Sequence, residues 1–331
     1  MNLQNRINIL VELGEYLKKN GSEWQKAKQQ AQNKNGWFTE AFIDKATSNI
    51  IEKYLKKELL EKWATHYHLD DLIKAKNVGI VMAGNIPMVG FHDFLAVFIS
   101  GHNQRIKFSS KDDVLLTHII QYIQTLDTNT THSINIEENL KGCDAYITTG
   151  GNQSATYFEH YFSKYPSIIR RNKTSIAILT GEETANELNR LSEDIHLFFG
   201  LGCRNVTKIF VPENYDFVPL LKSFDQFKYF RDYNKYINNY DFQLSLLLLN
   251  NTYYMTNEST LLVESNELFS PISVLNYSFY SNYKILTEEV AKNGDLQCIV
   301  GRNFVPFGQA QEPELFSYAD GIDTIQFLLT I

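Results

Sequence analysis

From residue 77 onward the chain alternates short β-branched apolar runs with stretches of helical periodicity. That alternation restricts it to parallel sheets flanked by helices. The runs Asn77–Met82, Arg105–Phe108, Asp144–Thr148, Ser175–Leu179, Lys208–Val211 and Leu296–Val300 read as strands, and residues 88–100, 112–125, 152–163 and 183–197 as the helices between them. Two helices are expected ahead of the alternation, over 3–19 and about 38–67; the second repeats apolar residues at Phe42, Ala46, Ile50, Ile51, Tyr54 and Leu55. The Asn/Tyr-rich part after residue 224 predicts a helix around 241–250 and strands near 259–263 and 272–276. Residues 324–331 alternate like an edge strand, which could pair across a homodimer. There is no internal repeat and no low-complexity linker, and the basic turn Arg170-Arg171-Asn172-Lys173 offers a domain boundary.

Composition narrows the class of function. A chain of 331 residues suffices for two domains. With 31 Lys+Arg against 38 Asp+Glu the net charge is −7, and no basic tract offers a nucleic-acid face. No stretch reaches the length of a membrane span, and Met1–Arg6 runs straight into an amphipathic pattern. The three cysteines, Cys143, Cys203 and Cys298, make no disulfide framework and fit a reducing compartment, so a cytoplasmic protein is expected. The eight histidines show no metal-ligand spacing.

Cys203 carries the chemistry. It follows Gly200-Leu201-Gly202 and precedes Arg204-Asn205. An adjacent cation favours the reactive thiolate, and nearby glycines let a substrate carbonyl approach. Cys143 and Cys298 read as buried thiols, and His92 as a packed helix residue. Four further segments come in a telling order. Asn85, in Ala83-Gly84-Asn85-Ile86-Pro87, ends a strand and can aim its amide at an oxyanion. Lys107, with Ser109, Ser110 and Lys111, ends the next strand and can meet a ribose or phosphate. Thr149-Gly150-Gly151-Asn152 leads from a strand into a helix, where backbone N–H groups suit a pyrophosphate. Glu267 and Phe269, in Glu267-Leu268-Phe269-Ser270-Pro271, precede a strand and offer a carboxylate to ribose hydroxyls. Taken singly, each has an ordinary explanation as a turn or a solvated charge.

Together with Pro306-Phe307-Gly308, the ordered set resembles the aldehyde dehydrogenase superfamily. More closely, Gly84-Asn85-Ile86-Pro87, Ser109-Ser110-Lys111-Asp112, the Thr-Gly-Gly turn, Gly200–Val206 and Val305–Gln309 resemble the fatty acyl-CoA reductase family of bacterial bioluminescence, the LuxC family. The resemblance covers about residues 77–331. It implies an α/β protein with a helical N-terminal leader and a Rossmann-type nicotinamide-cofactor domain within 1–174. A catalytic domain would span 175–305, and a C-terminal segment, 306–331, would return to the cofactor domain or pair as an edge strand. It also implies that Cys203 attacks an acyl-CoA to give a thioester, and that the amide of Asn85 and the backbone N–H of Cys203 hold the oxyanion. Lys107, Ser109, Thr149, Gly150, Gly151, Asn152, Glu267 and Phe269 would then hold NADPH, with NADH as the alternative, and no metal is called for.

The departures also inform. Hydrolytic aldehyde dehydrogenases carry a Glu-Leu-Gly-Gly segment whose glutamate activates water, whereas Ile168–Lys173 here contains no carboxylate. Ser270 stands in place of a glycine in the ribose-binding word. Two rival readings remain: a reductase of acyl phosphates, which would need an arginine cluster such as Arg170-Arg171, and a non-catalytic scaffold of the same fold.

Overall fold

A computed structural model describes residues 1–71 and 73–331. The chain forms two compact units, residues 1–172 with 313–331, and residues 173–312. The first begins with four helices, α1 (Leu3–Lys19), α2 (Ser22–Lys34), α3 (Glu40–Lys53) and α4 (Lys57–His66). It continues with β1 (Asn77–Val81), α5 (Phe91–Ser100), β2 (Asn103–Lys107), α6 (Val114–Leu126), α7 (Thr130–Ser133) and β3 (Ile134–Ile136). β4 (Ala145–Thr149), α8 (Asn152–Phe162) and β5 (Ser167–Arg170) complete its sheet, whose five parallel strands lie in the order β3-β2-β1-β4-β5.

The second unit holds β6 (Thr174–Ile178), α9 (Ala185–His196), β7 (Val206–Pro212), α10 (Val218–Ser223), α11 (Asn234–Leu249) and β8 (Tyr254–Thr256). It ends with β9 (Leu261–Glu264), β10 (Val274–Tyr280), α12 (Tyr283–Val290) and β11 (Leu296–Val300). Its six strands run β11-β6-β7-β10-β9-β8, parallel except for the β8–β9 pair. All five residues of β6 are buried, as continuous apolar strands are when helices cover both faces. α9 puts Leu188, Leu191 and Ile195 at helical spacing against Ile209, Val211 and Leu275 of the sheet.

The N-terminal helices are built into the first unit. α1 buries Ile7, Leu10, Leu13 and Leu17 on one stripe. The buried Arg6 guanidinium donates to Ile99 O at 3.0 Å, satisfying a carbonyl in the last turn of α5. The helix expected over 38–67 is two helices. The chain turns at residues 54–56, which lets the consecutive residues Tyr54 and Leu55 both be buried, and Gly14 of α1 leaves room for Leu55. α2 escapes a periodicity reading because only Trp24, Ala27 and Ala31 interrupt its polar sequence, and these three are buried.

The expected edge strand at 324–331 is instead a short helix, α13 (Thr324–Leu328). Asp323 accepts the Gln326 N–H at 2.9 Å as its N-cap, and Thr324, Ile325 and Leu328 form its buried face. A buried ion pair joins three elements of this unit: Arg170 at the end of β5 binds Asp93 of α5, and its other terminal nitrogen donates to Thr324 Oγ1 of α13 at 3.0 Å. No described helix is long and apolar enough to cross a membrane.

Removing one partner of a buried pair strands the other charge. Asp93→Ala is therefore expected to destabilise the first unit by about 3–5 kcal/mol. The check is urea unfolding followed by a probe in that unit; a loss below about 1 kcal/mol, the range of a surface pair, would contradict the buried-pair account.

Candidate active site

In the first unit the strand order changes direction at β1. The chain moves from β1 to β2 and β3 on one side, then returns to β4 and β5 on the other. The crevice beyond the carboxyl ends of β1 and β4 is thus a topological switch point, where open parallel sheets bind ligands. Val81 pairs with both Lys107 and Thr148, so the three strand ends lie side by side. Asn85 is exposed in the bend after β1, Lys107 is the exposed last residue of β2, and Thr149 ends β4.

Gly84 is required by close approach. A Cβ there would lie 2.8 Å from Ser109 Cβ and 3.1 Å from Asp112 N. Ser109 therefore serves the turn as much as any ligand, and its hydroxyl also accepts the Lys111 N–H at 3.3 Å. Gly151 is the N-cap of α8 without a side-chain cap bond, and a Cβ added to it would meet nothing within 4 Å. The first turn of α8 thus opens onto free space. Asn152, its first residue, accepts the Asn172 N–H at 3.3 Å. Asp112, buried behind the Asn85 bend, accepts the Met88 N–H at 2.7 Å, and burial pushes its pKa up to about 7.

In the second unit Cys203 is half-buried in the turn between α9 and β7. The approach to it is strained, because Phe198, Phe199 and Gly200 take left-handed φ values of +57°, +56° and +74° in succession. Aromatic packing pins the strained pair: the Phe199 ring lies 4.5 Å from Phe230 and 5.1 Å from Tyr233. Asn205, fully buried, ties the turn to the helix. Its Oδ1 accepts the Gly202 N–H at 2.8 Å, and its Nδ2 donates to Leu197 O at 2.8 Å, Asp194 O at 3.1 Å and Ile195 O at 3.3 Å. Ser175 of β6 donates to the Cys203 carbonyl at 3.0 Å and stands 3.1 Å from Cys298 Sγ. Arg204 reaches toward Ala310 O at 3.5 Å, and its charge opposes the burial that raises the half-buried Cys298 thiol.

β7 also holds the segment that contains Glu267 and Phe269. Thr207 Oγ1 donates to Leu268 O at 2.7 Å, and the buried Lys208 ammonium donates to Ser265 O at 2.8 Å. Burial lowers the Lys208 pKa and the field of Glu267 opposes it. Asn276 of β10 donates to the carbonyls of Glu267 and Phe269, at 3.1 Å each. A register shift between β6 and β7 at Ser175–Ile176 leaves Thr207 as the extra residue, a bulge beside the cysteine turn. The late Pro306-Phe307-Gly308 segment is fixed by Asp194 of α9, which accepts the N–H of Gly308 at 2.6 Å and of Ala310 at 2.9 Å.

Neither a protein-family model nor a curated protein sequence matches the chain. Solved structures do. Aldehyde dehydrogenase 21 from Physcomitrella patens, in complex with the reaction product succinate, superposes with a TM-score of 0.68 at 10% identity over 91% of this chain and 74% of that one. An NAD-dependent aldehyde dehydrogenase from Sinorhizobium meliloti gives 0.67 at 10% identity over 91% and 70%. The NAD+ complex of an aldehyde dehydrogenase from Bacillus cereus gives 0.64 at 13% identity over 89% and 70%. The chain has the aldehyde dehydrogenase fold.

Within that fold the predicted residues form one group in each unit. Asn85, Lys107, Ser109 and Thr149–Asn152 share the switch-point edge of the first unit, and β7 links Cys203 to the Glu267–Phe269 segment in the second. The Arg170-Arg171 pair does not form a dianion cluster: Arg170 binds Asp93 and Thr324, and Arg171 binds Glu159 at 2.6 Å. His92 is a packed residue whose Nε2 lies 2.9 Å from Leu315 O, and Cys143 is buried. The sequence pattern gives no role to Asn205 and Asp112, although both lie in segments that carry the resemblance, and none to Ser175 of β6 or Asp194 of α9, which no motif singles out. Among the described residues no His/Cys/Asp/Glu cluster could hold a metal ion.

His196, the last residue of α9, provides a pH-sensitive readout of this construction. It is fully enclosed, with Nε2 2.8 Å from Thr260 Oγ1 and Nδ1 2.7 Å from Ser192 O, and burial pulls its pKa from 6.5 down to about 4. The unfolded chain binds the proton first, so stability is full above pH 6.5 and is lost as pH falls toward 4. Between pH 7.5 and 5 the wild type is expected to lose about 2 kcal/mol more than His196→Gln. Urea unfolding at both pH values checks this; equal losses would show that His196 titrates normally.

Proposed function

We propose that the protein is an acyl-CoA reductase that forms a thioester on Cys203 and reduces it with NADPH, or NADH, to a fatty aldehyde, releasing coenzyme A. The observation that carries the reading is Arg170. In the stretch where hydrolytic relatives of the resembled superfamily place a water-activating glutamate, this chain has an arginine committed to Asp93 and Thr324. A thioester without a base to activate water persists long enough to be reduced or returned to a thiol. The tied-down Arg170 and Arg171 also favour a thioester donor over an acyl phosphate.

The residues present suit a dinucleotide. The first turn of α8 opens onto free space before Gly151, which fits a pyrophosphate, and Lys107 is exposed at the neighbouring strand end. Lys107, Ser109, Thr149, Gly150, Gly151 and Asn152 would hold that part, and Glu267 with Phe269 the nicotinamide ribose. Lys107 and Lys111 favour a 2′-phosphate, and the NAD+ held by the Bacillus cereus neighbour supports a nicotinamide in general. When bound in reduced form, the cofactor supplies hydride.

The chain's own groups do the rest. The Cys203 thiolate attacks the acyl carbon, the new C–S bond replaces the bond to coenzyme A, and coenzyme A leaves as its thiolate. The Asn85 amide and the Cys203 backbone N–H would hold the tetrahedral oxyanion; losing one such donor raises the barrier by about 3–4 kcal/mol. With hydride supplied to the acyl carbon by a bound reduced nicotinamide, Cys203 would then be the leaving group, its C–S bond electrons returning to the sulfur as aldehyde is released.

The test is oxidation of NADPH and NADH with acyl-CoAs of graded chain length. Cys203→Ala is expected to abolish aldehyde and coenzyme A release while leaving NADPH binding unchanged. Asn85→Ala should lower kcat by about 10²–10³-fold. Turnover that survives Cys203→Ala would remove the covalent mechanism. Failure of the wild type to bind either cofactor would favour a scaffold role.

A further inference from the structure

We infer that Asp112 is a positioning residue for the Asn85 turn, transmitting to it the rigidity of the N-terminal helices. The inference rests on the acyl-CoA reductase reading only for what Asn85 does; the placement stands on geometry within the first unit.

Asp112 is 3% exposed, and its Oδ2 accepts the N–H of Met88, three residues after Asn85. Met88 has a left-handed φ of +56°, which an unbranched non-glycine residue holds only where its surroundings enforce it. The hydrogen bond from Met88 to Asp112 is such an enforcement. On the other side of Asn85, Gly84 fits directly against Ser109 Cβ and Asp112 N. The turn 109–112 thus clasps Asn85 from both flanks, by a backbone contact before it and a side-chain bond after it.

That turn is itself anchored. The Asp112 N–H closes onto Ser109 O at 3.1 Å. At the end of α2, Asn35 Nδ2 donates to Lys111 O at 3.1 Å and Lys34 Nζ binds Asp113 at 2.6 Å. A line of support therefore runs from α2 through residues 111–113 to Asp112, Met88 and the Asn85 turn. Asp112 Oδ1 is buried with no hydrogen-bond partner, a cost that packing alone would not demand, since an apolar side chain would fill the space without it. What the carboxylate contributes in return is the bond to Met88.

Two measurements test this. Hydrogen exchange of a peptide spanning residues 83–91, in the whole protein without substrate, should quicken about tenfold in Asp112→Ala, as expected for a lost bond to a charged acceptor. Asp112→Asn, which keeps an acceptor oxygen, should restore it. Unchanged exchange in Asp112→Ala would overturn the inference, whatever the protein's activity. With an acyl-CoA that the wild type reduces, Asp112→Ala should lower kcat by at least tenfold. Its NADPH affinity and the rate of Cys203 alkylation by iodoacetamide should stay within twofold of wild type.

Because Asp112 acts through Asn85, the double variant Asp112→Ala/Asn85→Ala should be no slower than Asn85→Ala alone. Additive losses, or a parallel loss of NADPH affinity, would assign Asp112 to the cofactor loop and overturn the inference. If Asp112→Ala does not fold, Asp112→Ser, too short to reach Met88, takes its place. Should the wild type reduce no acyl-CoA, the functional reading fails, while the exchange comparison still decides the placement.

Discussion

The Asn205 carboxamide is the interaction on which the presentation of Cys203 depends. α9 ends two residues before the left-handed run Phe198-Phe199-Gly200, so its final carbonyls cannot be capped by continuing helix. Asn205 takes up three of them and closes the turn through the Gly202 N–H. Two aromatic residues in left-handed conformation cost roughly 1–2 kcal/mol each. Net hydrogen bonds contribute about 0.5–1.5 kcal/mol apiece. The amide and the aromatic packing around Phe199 are therefore of the size needed to hold the strain. Without the amide, the buried carbonyls of Asp194 and Ile195 would lose partners just where the chain is least content to stay.

Much of the fold was legible because parallel sheets leave an unambiguous trace. Strands buried on both faces read as continuous apolar runs, and β1, β4, β6 and β11 fall within a residue of where those runs lie. β3, β5 and β8, of three or four residues each, did not show. At the C-terminus the alternation of Thr324-Ile325-Gln326-Phe327-Leu328 was outweighed by the N-cap at Asp323, a local signal that decides between two periods when the segment is short.

The sequence singles out Cys203, Asn85 and Lys107 as candidates because the chemistry expected of them demands particular side chains beside glycines and strand ends, and it says less of the residues that hold them. Ser175 and Asp112 are common residues whose contacts depend on what the chain brings back to them; Ser175 meets the Cys203 carbonyl across 28 positions. Arg204, the cation expected to favour the Cys203 thiolate, also reaches Ala310 O and the neighbourhood of Cys298.

Both units solve the same problem with the same device. A loop that must keep an unusual shape is held by a buried carboxylate accepting backbone N–H groups: Asp112 on Met88, Asp194 on Gly308 and Ala310. In each case burial pushes the carboxyl up to about 7 while the backbone donors pull it down. Such groups add little to global stability, since desolvation offsets most of what the bonds contribute. Their effect is to make one loop geometry much better than its alternatives. Arg170 belongs to the same economy of design. By committing a buried charge to Asp93 and Thr324, the first unit fixes the end of β5.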